Sequence, residues 1–269
     1  MLKKLFRYDF LAVARLWWIG AVCALALSVF SGLATRLIVL PESLGILSFI
    51  VGMASQGAFS LSIAAFSILG VFLPFFRFYK NLYTDEGYLT FTLPVRRSSI
   101  YWSKTLNSML WIVLTILTVL VCSAANQLIG GSGSAIEEYR ALFDYAKAET
   151  GVWFPVLIAE GVLLLAALLA ESVAKVQFSV TVGSMLAQKH KVIASIGIYC
   201  GLNLVLNFLS QAFYGVVALV IFFNSSDESS AIIIPAVAVL AAVYLLMVGA
   251  IAFVLHLITF RSIRNRLNL

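Results

Sequence analysis

Hydrophobic residues along the chain form six long runs, separated by short stretches that hold most of the charged and turn-forming residues. Each run meets the length of roughly 20 residues that an α-helix needs to cross the hydrocarbon layer of a bilayer. The pattern therefore predicts an all-α membrane protein with six transmembrane helices in a single transmembrane domain over residues 1–269. The predicted spans cover about 18–40, 44–75, 106–129, 152–188, 192–223 and 231–260.

Two further segments have helical periodicity without the length or apolarity of a span. Residues 2–17 place apolar side chains on one side and Lys and Arg on the other, which predicts an amphipathic helix along the inner membrane surface. Asp9 falls on the apolar side and does not fit. Residues 135–149 predict an outer amphipathic helix, either a lid or packing element or an outer gate.

The fourth apolar run is unusually long. Its pattern from Val152 to about Gln188 corresponds to about 55 Å of helix at 1.5 Å per residue. Such a helix must project into the cytosol or bend.

Composition excludes a soluble protein. The placement of the basic residues argues against nucleic-acid binding. Hydrophobic residues are 62% of the chain and charged residues 11%, against about a quarter charged in soluble domains. The net charge of +6 comes from short basic clusters between the runs, not from a basic stripe with interleaved aromatics. The three cysteines lie in apolar runs without metal-ligand spacing, so no metal site is predicted.

The basic clusters predict the orientation in the membrane. They occur around residues 3–15, 77–104, 189–191 and 261–266, which alternate with the spans so as to lie on one side. Because Lys and Arg are enriched in cytoplasmic loops, both termini are predicted to be cytoplasmic in a multi-pass protein of a plasma membrane.

The cytoplasmic segment 77–104 is rich in aromatic residues although it only connects two spans. Thr84 is a good N-cap, acidic residues follow it as helix N-termini prefer, and Pro94 ends the pattern. These features predict a short helix that docks into a groove on a soluble partner, with aromatic anchors beside two carboxylates. The expected contact residues are Tyr83, Thr84, Asp85, Glu86, Tyr88, Leu89 and Phe91.

The run FYKNLYTDEGYLTFTLPV over 78–95, followed by basic residues, Ser103-Lys104 and a new span, resembles the coupling segment of ABC type-2 permeases. The stretch GSMLAQKHK at 183–191 and the ending RNRLNL at 264–269 are similar to segments of bacterial members. Six spans, an interfacial N-terminal helix and internal termini match that family over essentially the whole chain.

The resemblance implies two permease chains, expected to be identical, on two copies of an ATP-binding subunit in a bacterial plasma membrane. The coupling helix between spans two and three would transmit closure of those subunits to the spans. ATP and Mg would be bound by the partner, because this chain has no Gly-x4-Gly-Lys-[Ser/Thr] phosphate loop and is not itself an enzyme. Family members export amphipathic or antimicrobial peptides or lipid-linked molecules, and we favour a peptide, as in peptide-toxin or lantibiotic-immunity exporters.

Polar residues within the spans are candidates for the translocation pathway. Glu160 lies about 12 Å into the fourth span, where an ionisable group is costly and usually functional, although a protonated or helix-bonded carboxyl fits the position equally well. Asn203, Asn207 and Gln211 form a polar stripe that lines the pathway or joins helices by hydrogen bonds. Glu171 and Lys175, four residues apart, predict an ion pair near the inner interface.

A protein of another class also fits the sequence. A membrane sensor or anchoring subunit could use the same aromatic segment to recruit a cytoplasmic partner without transport. Stimulation of ATP hydrolysis by cargo separates this alternative from a permease.

Overall fold

In the computed structural model every element within the described residues is helical. Those residues are 2–38, 45–84, 86–92, 94–131, 134–187, 189–224 and 230–266. Six of the helices are long and apolar enough to cross a membrane, which confirms the predicted all-α class and the number of such helices. In chain order the elements are α1 (Leu2–Ile38), α2 (Gly45–Tyr83), α3 (Glu86–Thr92), α4 (Arg97–Gly130), α5 (Ser134–Thr150), a 3-10 turn (Gly151–Trp153), α6 (Phe154–Leu186), α7 (Lys191–Asn224) and α8 (Ser230–Arg266).

The long helices extend beyond the boundaries that hydropathy predicts. The second long helix, α2, ends at Tyr83 rather than near Phe75, and the third, α4, begins at Arg97 rather than near Leu106. A run of hydropathy stops at the first charges, whereas Lys and Arg are good helix formers and let the backbone continue. The length of α6, 33 residues, is therefore not peculiar to it, since the other five long helices have 34 to 39 residues.

The chain divides into two compact units, and the first comprises Met1–Phe78 and Ser99–Phe143. Its core is built on tryptophans of α1 and α4: the rings of Trp17 and Trp111 are 5.1 Å apart, and Phe10 stacks on Trp111 at 4.6 Å. The indole N–H of Trp17 donates to the hydroxyl of Thr115 at 3.0 Å. This contact satisfies a polar group that would otherwise be buried without a partner.

A buried ion pair also joins α1 to α4. Lys104 Nζ lies 3.2 and 3.3 Å from the two carboxylate oxygens of Asp9, and the hydroxyl of Ser103 is 3.5 Å from the second. Asp9 and Lys104 are 6% and 7% exposed. The pairing explains why Asp9 occupies the apolar side of the first helix. That helix is continuous over Leu2–Ile38, so no break separates the predicted interfacial segment from the first span; its position along the membrane surface stays a prediction.

The second unit comprises Tyr79–Ser98 and Asp144–Leu269. It holds the last turn of α2, α3, and the three helices α6, α7 and α8, with α6 packed against both α7 and α8. Near the C-terminal end of α6, a Cβ added to Gly183 would lie 2.5 Å from the backbone N and Cα of Ser195 on α7. Only glycine allows this backbone contact, because real Cβ atoms do not approach so closely.

We expect replacement of Lys104 by Met to destabilise the protein strongly. Removing one member of a buried ion pair leaves an uncompensated charge and costs about 3–5 kcal/mol. The double variant Asp9→Asn with Lys104→Met should recover most of the loss. Denaturation of the detergent-solubilised chain measures both effects.

Lys80→Met is the matched control. Lys80 pairs with Glu86 at 2.7 Å, but these side chains are 51% and 47% exposed, and exposed pairs contribute about 0–1 kcal/mol. Equal stability losses for Lys104→Met and Lys80→Met would show that the buried pair does not hold α1 to α4.

Candidate functional site

The turn between α2 and α3 is tight and depends on a glycine. The backbone N–H of Gly87 donates to the carbonyl of Thr84 at 2.8 Å, and a Cβ on Gly87 would lie 2.8 Å from the carbonyl oxygen of Leu82. The hydroxyl of Thr84 donates back to the carbonyl of Lys80. The helix α3 therefore follows α2 after a short turn, with the Lys80–Glu86 ion pair across it.

Tyr83, the last residue of α2, lies inside the second unit. It is 7% exposed, and its hydroxyl donates to the hydroxyl of Thr181 on α6 at 2.7 Å. Thr181 in turn donates to the carbonyl of Gln177. The sequence predicts Tyr83 among the side chains presented to a partner; in the structure its hydroxyl connects α2 to α6.

A lysine connects the same residue to α7. The Nζ of Lys191, at the first position of α7, donates to the backbone carbonyl of Tyr83 at 3.2 Å. A cation beside the last carbonyls of a helix satisfies an acceptor that has no partner within the helix and favours the helix dipole. We call Tyr83, Thr181 and Lys191 the α2–α6–α7 junction.

The other predicted contact residues are described in part. Glu86 is the first residue of α3 and is engaged with Lys80. Asp85 lies outside the described residues, as do the side chains of Tyr88, Leu89 and Phe91, whose backbone belongs to α3. The short helix that the sequence predicts in this segment is thus present over Glu86–Thr92.

The polar stripe of α7 lies on a largely open face. Asn207 and Gln211 are exposed and Asn203 is half-buried. Farther along the same face, the hydroxyl of Tyr244 from α8 lies 3.4 Å from that of Ser210 and 3.2 Å from that of Tyr214. The face that carries the stripe therefore contacts α8 near Ser210 and Tyr214, while Asn207 and Gln211 remain exposed. The helix that carries these exposed amides is nevertheless apolar enough to cross a membrane.

The helix α6 carries the single carboxyl group of Glu160 and the Glu171–Lys175 pair. Glu160 is half-buried, and its Oε2 atom is enclosed without a hydrogen-bond partner among the described residues. The Nζ of Lys175 lies 3.5 Å from Oε1 of Glu171, and both side chains are largely buried. The pair has the spacing of one helical turn that the sequence indicates, whereas Glu160 has no comparable cation in the described part of the chain.

Sequence reasoning missed Thr181 and Lys191. Neither residue stands out from its sequence neighbours, because Thr181 lies late in an apolar run and Lys191 lies in a basic turn. A usable signal was the concentration of hydrogen-bonding residues in the last three turns of α6, where Gln177, Ser179 and Thr181 are all buried. Polar residues at that density in an apolar helix indicate a packed polar contact.

The stripe of α7 gives a test of what its open face meets in the membrane. Polar side chains exposed at membrane depth face water or other polar groups, because hydrocarbon offers no hydrogen bonds. We expect Asn207→Cys to react with a membrane-impermeant maleimide in reconstituted protein. Phe208→Cys, at a 75% exposed neighbouring position on another face, should stay unreactive. Equal protection at both positions would show that the stripe faces lipid.

The described residues contain no cluster of three His, Cys, Asp or Glu side chains that could hold a metal ion. The arrangement offers hydrogen bonds, an enclosed carboxyl oxygen on Glu160, and a short helix, α3, that follows a turn from Tyr83, which is bonded to α6 and α7. Comparison of the chain with protein-family models, with curated proteins and with solved structures found no match.

Proposed function

We propose that this chain is the permease subunit of an ATP-driven exporter in a bacterial plasma membrane. It carries an amphipathic or hydrophobic substrate, preferably a peptide, and a separate subunit hydrolyses the ATP. Two permease chains assemble with two ATP-binding subunits, and both termini lie in the cytosol. The family resemblance of the segment 78–95 motivates this proposal.

The α2–α6–α7 junction is the observation that supports the proposal most directly. A helix that only anchored a cytoplasmic partner would have no need of a buried connection to the spans. Here α3 follows a glycine turn from Tyr83, and Tyr83 bonds to α6 through its hydroxyl and to α7 through its carbonyl. A displacement of α3 by a partner is therefore passed to two apolar helices at once.

The residues on those two helices suit a route for cargo. Glu160 lies on α6, and Asn203, Asn207 and Gln211 lie on α7. Uncharged amides bind peptide groups without holding them tightly, because a net hydrogen bond contributes only about 0.5–1.5 kcal/mol. A pathway lined in this way favours both uptake and release, and a second permease chain completes it.

Purification of the intact complex in mild detergent tests the proposal. We expect an ATP-binding subunit to co-purify in stoichiometric amount, with vanadate-sensitive ATP hydrolysis that an amphipathic peptide stimulates. A folded chain that purifies alone and without ATPase activity contradicts the proposal. A partner that binds without cargo-stimulated hydrolysis favours the sensor or anchoring subunit.

The double variant Asp85→Ala, Glu86→Ala should weaken the association with the ATP-binding subunit. Loss of one charge-assisted contact costs about 1.5–3 kcal/mol, which corresponds to at least about tenfold in affinity. Glu137→Ala with Glu138→Ala, a paired acidic site exposed on α5, is the matched control. Unchanged affinity in the first variant would exclude a docking role for these carboxylates.

Tyr83→Phe should separate docking from transmission. The variant keeps the aromatic ring but loses the hydrogen bond to Thr181, at a cost of about 1 kcal/mol, or about fivefold in a conformational equilibrium. We expect normal recovery of the ATP-binding subunit but a several-fold loss of peptide-stimulated ATPase activity.

Tyr199→Phe on α7 controls for the general effect of removing a phenol, since Tyr199 is 37% exposed and lies away from the junction. Full stimulation in Tyr83→Phe would show that the junction plays no part in transmission.

A further inference from the structure

A cavity of about 380 Å³ lies between α1, α2 and α4 in the first unit. Hydroxyl and carboxamide side chains and one phenyl ring line it: Thr35, Gln56, Phe59, Ser123, Asn126 and Gln127. Thr35 and Ser123 stand within two turns of the C-terminal ends of their helices. By the distribution of basic residues, this end of the unit is extracytoplasmic.

Two of the three carboxamides that line the cavity, Gln56 and Asn126, are joined by a hydrogen bond. Nε2 of Gln56 donates to the hydroxyl of Thr35 at 3.2 Å and to Oδ1 of Asn126 at 3.3 Å, while Nδ2 of Asn126 donates to the carbonyl of Ser28 at 3.2 Å. This network fixes the orientation of Gln56. Its carbonyl oxygen, Oε1, is left as the acceptor without a partner among the described residues.

The hydroxyl of Ser123 is a second polar group without a hydrogen-bond partner among the described residues. Serine and threonine in a membrane helix usually donate to the carbonyl four residues earlier, as Thr118 does to Leu114. The hydroxyl of Ser123 makes no such bond within the described part of the chain and is half-buried in the cavity wall. The cavity therefore presents one fixed carbonyl acceptor and one hydroxyl that can donate.

An amide group matches this pair. Its N–H can donate to Gln56 Oε1, and its carbonyl can accept from the Ser123 hydroxyl. An ester supplies an acceptor but no donor. A phosphate or carboxylate is not favoured, because no charged side chain lines the cavity in the described residues. The ring of Phe59 offers an apolar wall for the chain that carries the amide.

We infer that this cavity is a binding site for an uncharged amide group on an apolar chain, on the extracytoplasmic side of the protein. The amide itself follows from Gln56 and Ser123. That its natural source is the backbone of a peptide cargo rests on the proposed function, in which the cavity receives cargo at the end of its route.

Protection of a cysteine from alkylation tests the site in the full-length chain reconstituted in nanodiscs. Gly130 also lines the cavity, and a Cβ there meets Thr35 at an ordinary 3.5 Å, so Gly130→Cys places a reporter without altering Gln56 or Ser123. The exposed Cys23 and Cys200 are replaced by Ser, and the buried Cys122 is retained. The probes are hexanamide and methyl pentanoate, an ester with the same number of heavy atoms.

We expect hexanamide to slow alkylation of Gly130→Cys by a water-soluble maleimide, and methyl pentanoate to have little effect. Adding Ser123→Ala or Gln56→Leu should weaken the protection by about three- to tenfold, the range expected for one hydrogen bond. Ser60→Ala is the control, since Ser60 bonds only to the backbone of Gln56 and does not line the cavity. Leu128→Cys, 57% exposed on the same helix, should react at a rate that neither probe changes.

Three results overturn the inference. Absence of protection by hexanamide indicates a cavity that holds water only, and equal protection by the amide and the ester indicates an unselective apolar groove. Full protection by hexanamide in Ser123→Ala is the third. If Gln56→Leu does not fold, Ser123→Ala still decides. The assay needs no ATP-binding subunit. A failed co-purification therefore contradicts the proposed permease function but not the amide site. Unselective protection contradicts the amide site but not the permease function.

Discussion

A polar group in a membrane helix must find its hydrogen-bond partner within the protein, because hydrocarbon supplies none. This constraint explains the principal contacts of both units. In the first, Asp9 pairs with Lys104 and the indole of Trp17 donates to Thr115. In the second, Tyr83 donates to Thr181. Each contact joins elements that are distant in sequence, so the polar minority of residues specifies which apolar helices pack together.

The same constraint separates polar groups that have a partner within the chain from those that have none among the described residues. Groups with partners inside the chain are accounted for by folding. The enclosed Oε2 of Glu160, the exposed amides of Asn207 and Gln211, and the half-buried hydroxyl of Ser123 are not. Satisfying these groups requires something additional, whether water, cargo or a second chain. These groups are therefore the candidates for contacts with the surroundings of the chain.

Much of the fold could be predicted from the sequence because hydrophobic run length is a local property. The six long helices and the short helix over Glu86–Thr92 follow from apolar runs, capping residues and Pro94. Helix ends could not be predicted, because Arg77 and Lys80 end an apolar run without ending a helix. The pairing of Asp9 could be suspected, since a carboxylate on an apolar face needs a partner, but nothing local identified Lys104.

The candidate site was less accessible to sequence reasoning. Aromatic content predicts a docking segment around Tyr83, but not the direction in which Tyr83 points. That direction depends on Thr181 and Lys191, which lie 98 and 108 residues away. Likewise, nothing in the sequence distinguishes Ser123 from the other serines in apolar runs. In the structure it differs because its hydroxyl does not donate to the carbonyl four residues earlier. Such information exists in the folded chain alone.

The close approach of Gly183 to Ser195 has a mechanical consequence for α6 and α7. Because the α6 backbone at Gly183 lies directly against Ser195 of α7, a tilt of α7 relative to α6 would use this contact as its fulcrum. Asn207 lies twelve residues beyond Ser195, about 18 Å along α7. A rotation of about 5° at the fulcrum would shift Asn207 by about 1.5 Å over that length. A small tilt at the Gly183–Ser195 contact would thus become, at Asn207, a displacement of about half the length of a hydrogen bond.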